Sequence, residues 1–82
     1  MQHFEIINGK WIKQIDFSSG GDLIFKSLRI DSIVSFDTRV WPGGTYFIHL
    51  RSSDKMELNI RYEPNETELY KNDLAYFEKL LF

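Results

Sequence analysis

A chain of 82 residues with no cysteine and a formal net charge of -2 has neither a disulfide framework nor a thiolate metal centre, and its charge argues against non-specific binding to a phosphate backbone. The length suits one domain over residues 1–82, and at that size only about 60–65% of the unfolded surface is buried, so seven Phe, four Tyr and two Trp must supply much of the core. No stretch approaches the ~18 apolar residues of a membrane-spanning helix, and the first residues lack a basic segment followed by an apolar run, so a soluble cytoplasmic protein with no membrane partner is expected.

From the N-terminus, His3–Ile7 and Lys10–Phe17 are apolar-rich runs separated by Asn8-Gly9. That dipeptide readily takes the positive φ angles of a two-residue hairpin turn, so the spacing predicts a first hairpin. Ser18-Ser19-Gly20-Gly21-Asp22 predicts a turn, and Leu23–Ile30 a third strand whose imperfect alternation suggests a bulge near Lys26-Ser27. Asp31-Ser32 favours a side-chain-to-backbone turn between strand-forming neighbours, which predicts a corner. Val34–Val40 then leaves as the next strand, closed by Trp41-Pro42-Gly43-Gly44.

The clearest pattern covers residues 45–62. Tyr46, Ile48 and Leu50 alternate with Phe47, His49 and Arg51, and beyond a polar turn Met56, Leu58, Ile60 and Tyr62 alternate with Glu57, Asn59 and Arg61. This is a hairpin with one buried face, for which the pattern predicts Leu50 opposite Met56, Ile48 opposite Leu58 and Tyr46 opposite Ile60.

After residue 62, Pro64, the potential caps Asn65 and Thr67, and acids in the first turn predict a helix over 66–82. Tyr70, Leu74, Phe77 and Leu81 form one apolar stripe and Leu69, Tyr76 and Leu80 a second beside it. Asp73 projects between them, where burial without a partner is costly, so it is placed at the rim. The expected fold is α+β: a bent antiparallel β-meander of about five strands over residues 3–62 with a single C-terminal helix packed on the sheet.

Few residues suggest chemistry. His3 and His49 are the only histidines; no metal ligand set forms around them, and no cofactor is expected. His49 is expected opposite Glu57 on the polar face. The serines at 18, 19, 52 and 53 fall in turns, without the base and orienting acid of a nucleophilic site. Asp31 and Asp37 each stand two residues from an arginine, Arg29 and Arg39, which reads as ion pairing. The glycines at 20 and 21 lack the lysine and helix of a phosphate-binding loop. An enzyme is therefore not expected.

Two binding readings remain. Lys10, Trp11, Lys13, Lys26, Arg29, Arg39, Phe47, Arg51 and Arg61 mix cations with rings, a combination that stacks unpaired bases, so a nucleic-acid-binding regulator is the alternative. Residues 1–62 hold eight basic and seven acidic side chains, while 63–82 hold two and five, so acids interrupt the cations throughout. The leading expectation is a non-enzymatic protein-interaction module. It would be an adaptor or inhibitor of the kind phages and mobile elements encode, acting on a protein partner and open to homodimer formation. Its contact residues would be Arg39, Trp41, Phe47, His49 and Arg61 on the hairpin side, and Leu69, Tyr76 and Leu80 on the helix.

Overall fold

The structure, a computed structural model, describes residues 3–17 and 23–82. The turn expected at 18–22 lies outside them. Among the described residues the strands are β1 (Phe4–Ile7), β2 (Trp11–Phe17), β3 (Leu23–Arg29), β4 (Ile33–Trp41), β5 (Thr45–Ser52) and β6 (Glu57–Tyr62), followed by the helix α1 (Thr67–Leu81). They form two antiparallel three-stranded sheets, β1-β2-β3 and β4-β5-β6. The expected α+β meander with one C-terminal helix is what the chain forms, with six strands rather than about five.

The division into two sheets has a local cause at the Asp31-Ser32 corner. Ile30–Ser32 makes a single 3-10 turn, held by the Ser32 hydroxyl donating to the Arg29 carbonyl at 2.8 Å and by the Arg29–Asp31 ion pair at 3.1 Å. This turn directs β4 away from β3, so β4 opens a second sheet. The bulge expected at Lys26-Ser27 does not occur, because the β2–β3 ladder runs without a shift from Trp11 opposite Arg29 to Phe17 opposite Leu23. A bulge lies instead in β4, between Ile33 and Ser35.

Turn chemistry fixes the hairpins. Asn8 and Gly9 both take positive φ, at 53° and 67°, and Lys10 N–H donates to the Ile7 carbonyl at 2.9 Å, as the sequence predicts. In the β5–β6 hairpin Lys55 takes φ 68°, and Ser52 N–H donates to the Met56 carbonyl at 2.9 Å. The loop is therefore Ser53-Asp54-Lys55, a three-residue type with a left-handed last residue. This corrects the expected register by two residues: Leu58 stands opposite Leu50, Ile60 opposite Ile48 and Tyr62 opposite Tyr46. A two-residue slip keeps every side chain on its face, so the buried set survives, but Met56 falls at the loop closure and is 53% exposed rather than in the core.

The core joins Ile12 and Leu28 of the first sheet to Ile48, Leu50, Leu58, Ile60 and Tyr62 of the second, with Tyr70 and Phe77 of α1 packed against them. Each such aliphatic side chain stabilises the fold by roughly 1.5–3 kcal/mol. Rings knit the layers: Phe4 to Phe77 at 4.6 Å between centroids, and Tyr46 stacked on Tyr70 at 4.5 Å. The helix begins one residue later than expected, after a 3-10 turn over Pro64–Glu66, and the cap is neither Asn65 nor a Thr67 side chain bonding forward. Glu66 instead reaches back to accept the Glu63 N–H at 3.0 Å, and the Thr67 hydroxyl donates to the Pro64 carbonyl at 3.0 Å.

Candidate interaction surface

The face of β4-β5-β6 turned away from α1 is set by strand parity. Trp41 is opposite Thr45, Arg39 opposite Phe47, and Asp37 opposite His49; across β5, Phe47 meets Arg61 and His49 meets Asn59. Residues directly opposite share a face, so Arg39, Trp41, Phe47, His49 and Arg61 stand together. The structure thus groups all five hairpin-side residues singled out in the sequence.

Their exposures differ. Trp41 is 55% exposed, whereas Phe47 is 6% exposed. The two rings pack at 4.7 Å between centroids, tilted by 50°, so Trp41 roofs Phe47 and presents its own outer side to solvent. Arg39 and Arg61 flank Phe47 on either strand. Arg61 Nε pairs with Glu63 at 2.9 Å, while Arg39 makes no ion pair among the described residues. His49 is half-buried between two carboxylates: Nδ1 lies 3.2 Å from Asp37, and Nε2 lies 3.5 Å from Glu57. Its direct neighbour across β6 is Asn59, so the expected pairing with Glu57 is a diagonal one. Asp37 accordingly engages His49 and not Arg39, while the expected Arg29–Asp31 pair does form.

The second apolar stripe of α1 does not join this surface. Leu69 and Leu80 are partly buried against the core, and Tyr76, 42% exposed, keeps its ring 6.0 Å from both Phe4 and Phe77. That stripe extends the core along its flank. Asp73, expected at the rim, is half-buried and accepts the Tyr62 hydroxyl at 2.6 Å.

Beyond Phe47 the face runs into a groove of about 670 Å³ between β6 and the first sheet, lined by Gln14, Lys26, Phe47, Asn59 and Arg61 among others. Gln14 was not singled out in the sequence, although its even-numbered place beside Ile12 puts an amide on an inward-facing row. It is 6% exposed; its Nε2 donates to the Asn59 carbonyl at 2.9 Å, and its Oε1 is buried without a hydrogen-bond partner among the described residues. A buried acceptor of this kind is the costly exception in folded proteins.

The cation-and-ring set proposed for nucleic acid is divided. Trp11 and Arg29 are opposite one another in the first sheet, with Arg29 over the Trp11 ring at 5.9 Å, while Arg39, Phe47, Arg51 and Arg61 belong to the second. Asp37 and Glu57 within the second sheet, and Glu63 just beyond it, stand among the arginines. Among the described residues no group of three or more His, Cys, Asp or Glu is placed to hold a metal ion, and no helix is long and apolar enough to cross a membrane. No family model, curated protein or solved structure matches this chain.

Proposed function

We propose that this protein is a non-enzymatic interaction module, an adaptor or inhibitor of a cytoplasmic partner protein, binding through the outer face of β4-β5-β6. The observation that carries the reading is the exposed Trp41 seated on buried Phe47 beside Arg39, which makes no ion pair among the described residues. Trp and Arg are the residue types most enriched where interface energy concentrates, and a ring held rigid by a second ring loses little entropy on binding. The groove continues the surface past Arg61 towards Gln14. Charges of both signs on the face suit a protein of mixed charge better than a polyanion. Trp41→Ala and Arg39→Ala variants test this by affinity capture from the cells that make the protein. Loss of the same partner from both, with each variant still unfolding cooperatively, is the expected outcome. A partner retained equally by both variants contradicts it, and a captured nucleic acid released steeply by salt favours the alternative regulator reading.

A further inference from the structure

β4 is an edge strand of its sheet, and an unpaired edge is a template for another strand. Which backbone groups it offers follows from the ladder. Ser52 N–H donates to the Met56 carbonyl, and that bond belongs to the same alternating series as Leu50–Leu58 and Ile48–Ile60. His49 therefore turns its main-chain groups away from β6; the Asn59 carbonyl agrees, since it points outward to Gln14. Because His49 faces β4, its opposite residue Asp37 bonds to β5. The alternate residues Phe36, Thr38 and Val40 are left with N–H and C=O directed to the free edge. Among the described residues nothing bonds to them there.

The regular part of β4 runs from Ser35, just past the bulge, to Trp41. Thr38 is its midpoint. We propose that two copies of this chain pair antiparallel through β4, about a twofold axis at Thr38, to form one continuous sheet. In that register Thr38 faces Thr38 of the second copy, and Phe36, Thr38 and Val40 exchange main-chain hydrogen bonds with Val40, Thr38 and Phe36. Asp37 of each copy stands opposite Arg39 of the other, so charges that would guard an isolated edge become two symmetric opposite-charge pairs. A register shift of two residues places Asp37 against Asp37 or Arg39 against Arg39, and a shift of four leaves both charges without a charged partner; odd shifts set residues that bond outward against residues that bond to β5. The same register brings Val40, 61% exposed, against Phe36 of the second copy. Phe36 lies 6.0 Å from the ring of Phe82, itself 89% exposed, so apolar surface open in one copy is covered in the pair. Such an interface is isologous and closes at two copies, leaving no open edge for fibre growth on that side.

The pairing is centred on Thr38, which is opposite Ile48 on the other side of the sheet, and it shares Arg39 with the partner surface proposed above; Thr38→Pro leaves Arg39 and Trp41 in place and so separates the two readings. Molar mass in solution tests it, read by light scattering over a concentration series. The wild type is expected to rise to about twice the 9.8 kDa of one chain. Thr38→Pro removes an edge donor without touching the β5 ladder and is expected to remain at one chain's mass with an unchanged far-ultraviolet spectrum. Asp37→Arg and Arg39→Asp, each alone, set like charges face to face and are expected to be monomeric; mixed one to one they regain opposite-charge pairs and return to the dimer mass. A wild type that stays at one chain's mass at millimolar concentration overturns the proposal. So does a Thr38→Pro variant as dimeric as the wild type, or a mixture that stays monomeric when its components are folded.

Discussion

The Tyr62 hydroxyl donates to Asp73 Oδ2 at 2.6 Å, joining the last strand to the middle of the only described helix. Tyr62 is fully buried. Burial, the hydrogen bond and the nearby carboxylate all push its pKa far above the ordinary tyrosine value, so the phenol stays a neutral donor across the working pH range. Tyr62→Phe deletes only the oxygen and leaves the Asp73 carboxylate half-buried without that donor. The expected cost is about 1–3 kcal/mol in urea unfolding. Because the two groups act as one unit, Tyr62→Phe combined with Asp73→Ala is expected to cost less than the two separate losses added together.

Phe47 and Trp41 touch, yet truncating them is expected to cost stability to very different extents. Phe47→Ala empties a buried site and should cost about 3 kcal/mol of unfolding free energy. Trp41→Ala removes a ring that is 55% exposed and should cost about 1 kcal/mol or less. Equal losses on denaturation would mean that Trp41 is a core residue and not a contact residue.

Lys55 holds φ 68° at the last position of its hairpin loop. An L side chain there opposes its own backbone by roughly 1–2 kcal/mol, a cost glycine avoids. Lys55→Gly is expected to raise the unfolding free energy by about 0.5–1 kcal/mol. Calorimetry showing a lowered transition temperature would contradict the loop geometry.

Glu66 closes the helix start: its carboxylate accepts the Glu63 N–H and lies 2.8 Å from His3 Nε2. The Glu63 backbone bond, with His3 assisting, holds its pKa below the ordinary 4.5. A carboxyl with a depressed folded pKa contributes stability above its unfolded pKa and loses it as pH falls through the folded one. The wild type should therefore exceed Glu66→Gln by about 1 kcal/mol at neutral pH, and the two curves should converge below the folded pKa of Glu66. Parallel curves across that range would show that the Glu66 charge does nothing for the fold.

Period-two alternation made the inner face of the β5–β6 hairpin legible, because Ile48, Leu50, Leu58, Ile60 and Tyr62 must all lie on one side to be buried. The register was not legible, since it depends on whether Lys55 takes a left-handed conformation, and that turns on the competition between loop lengths at Ser52–Met56. The outer face was legible for the same reason as the inner one: parity alone gathers Arg39, Trp41, Phe47, His49 and Arg61. How deeply each is buried was not, because Phe47 is covered by Trp41 from a neighbouring strand. The second stripe of α1 shows the converse limit. A helical wheel reports direction, and only the sheet's curvature determines how far around the helix the core extends to cover Leu69 and Leu80. Gln14 escaped notice because an amide on an apolar row gains meaning only from the β6 edge that it meets.

Partners are proposed to meet the outer face of β4-β5-β6. Site-specific photocrosslinking tests this most directly, with a photoreactive residue placed in turn at Asn59, Arg61, Lys71 and Asn72 and irradiated in the cells that make the protein; the first two share the outer face and leave Trp41 in place. A protein adduct is expected from positions 59 and 61 and none from the exposed helix positions 71 and 72. Adducts of equal yield from all four positions, or from the helix alone, would contradict it.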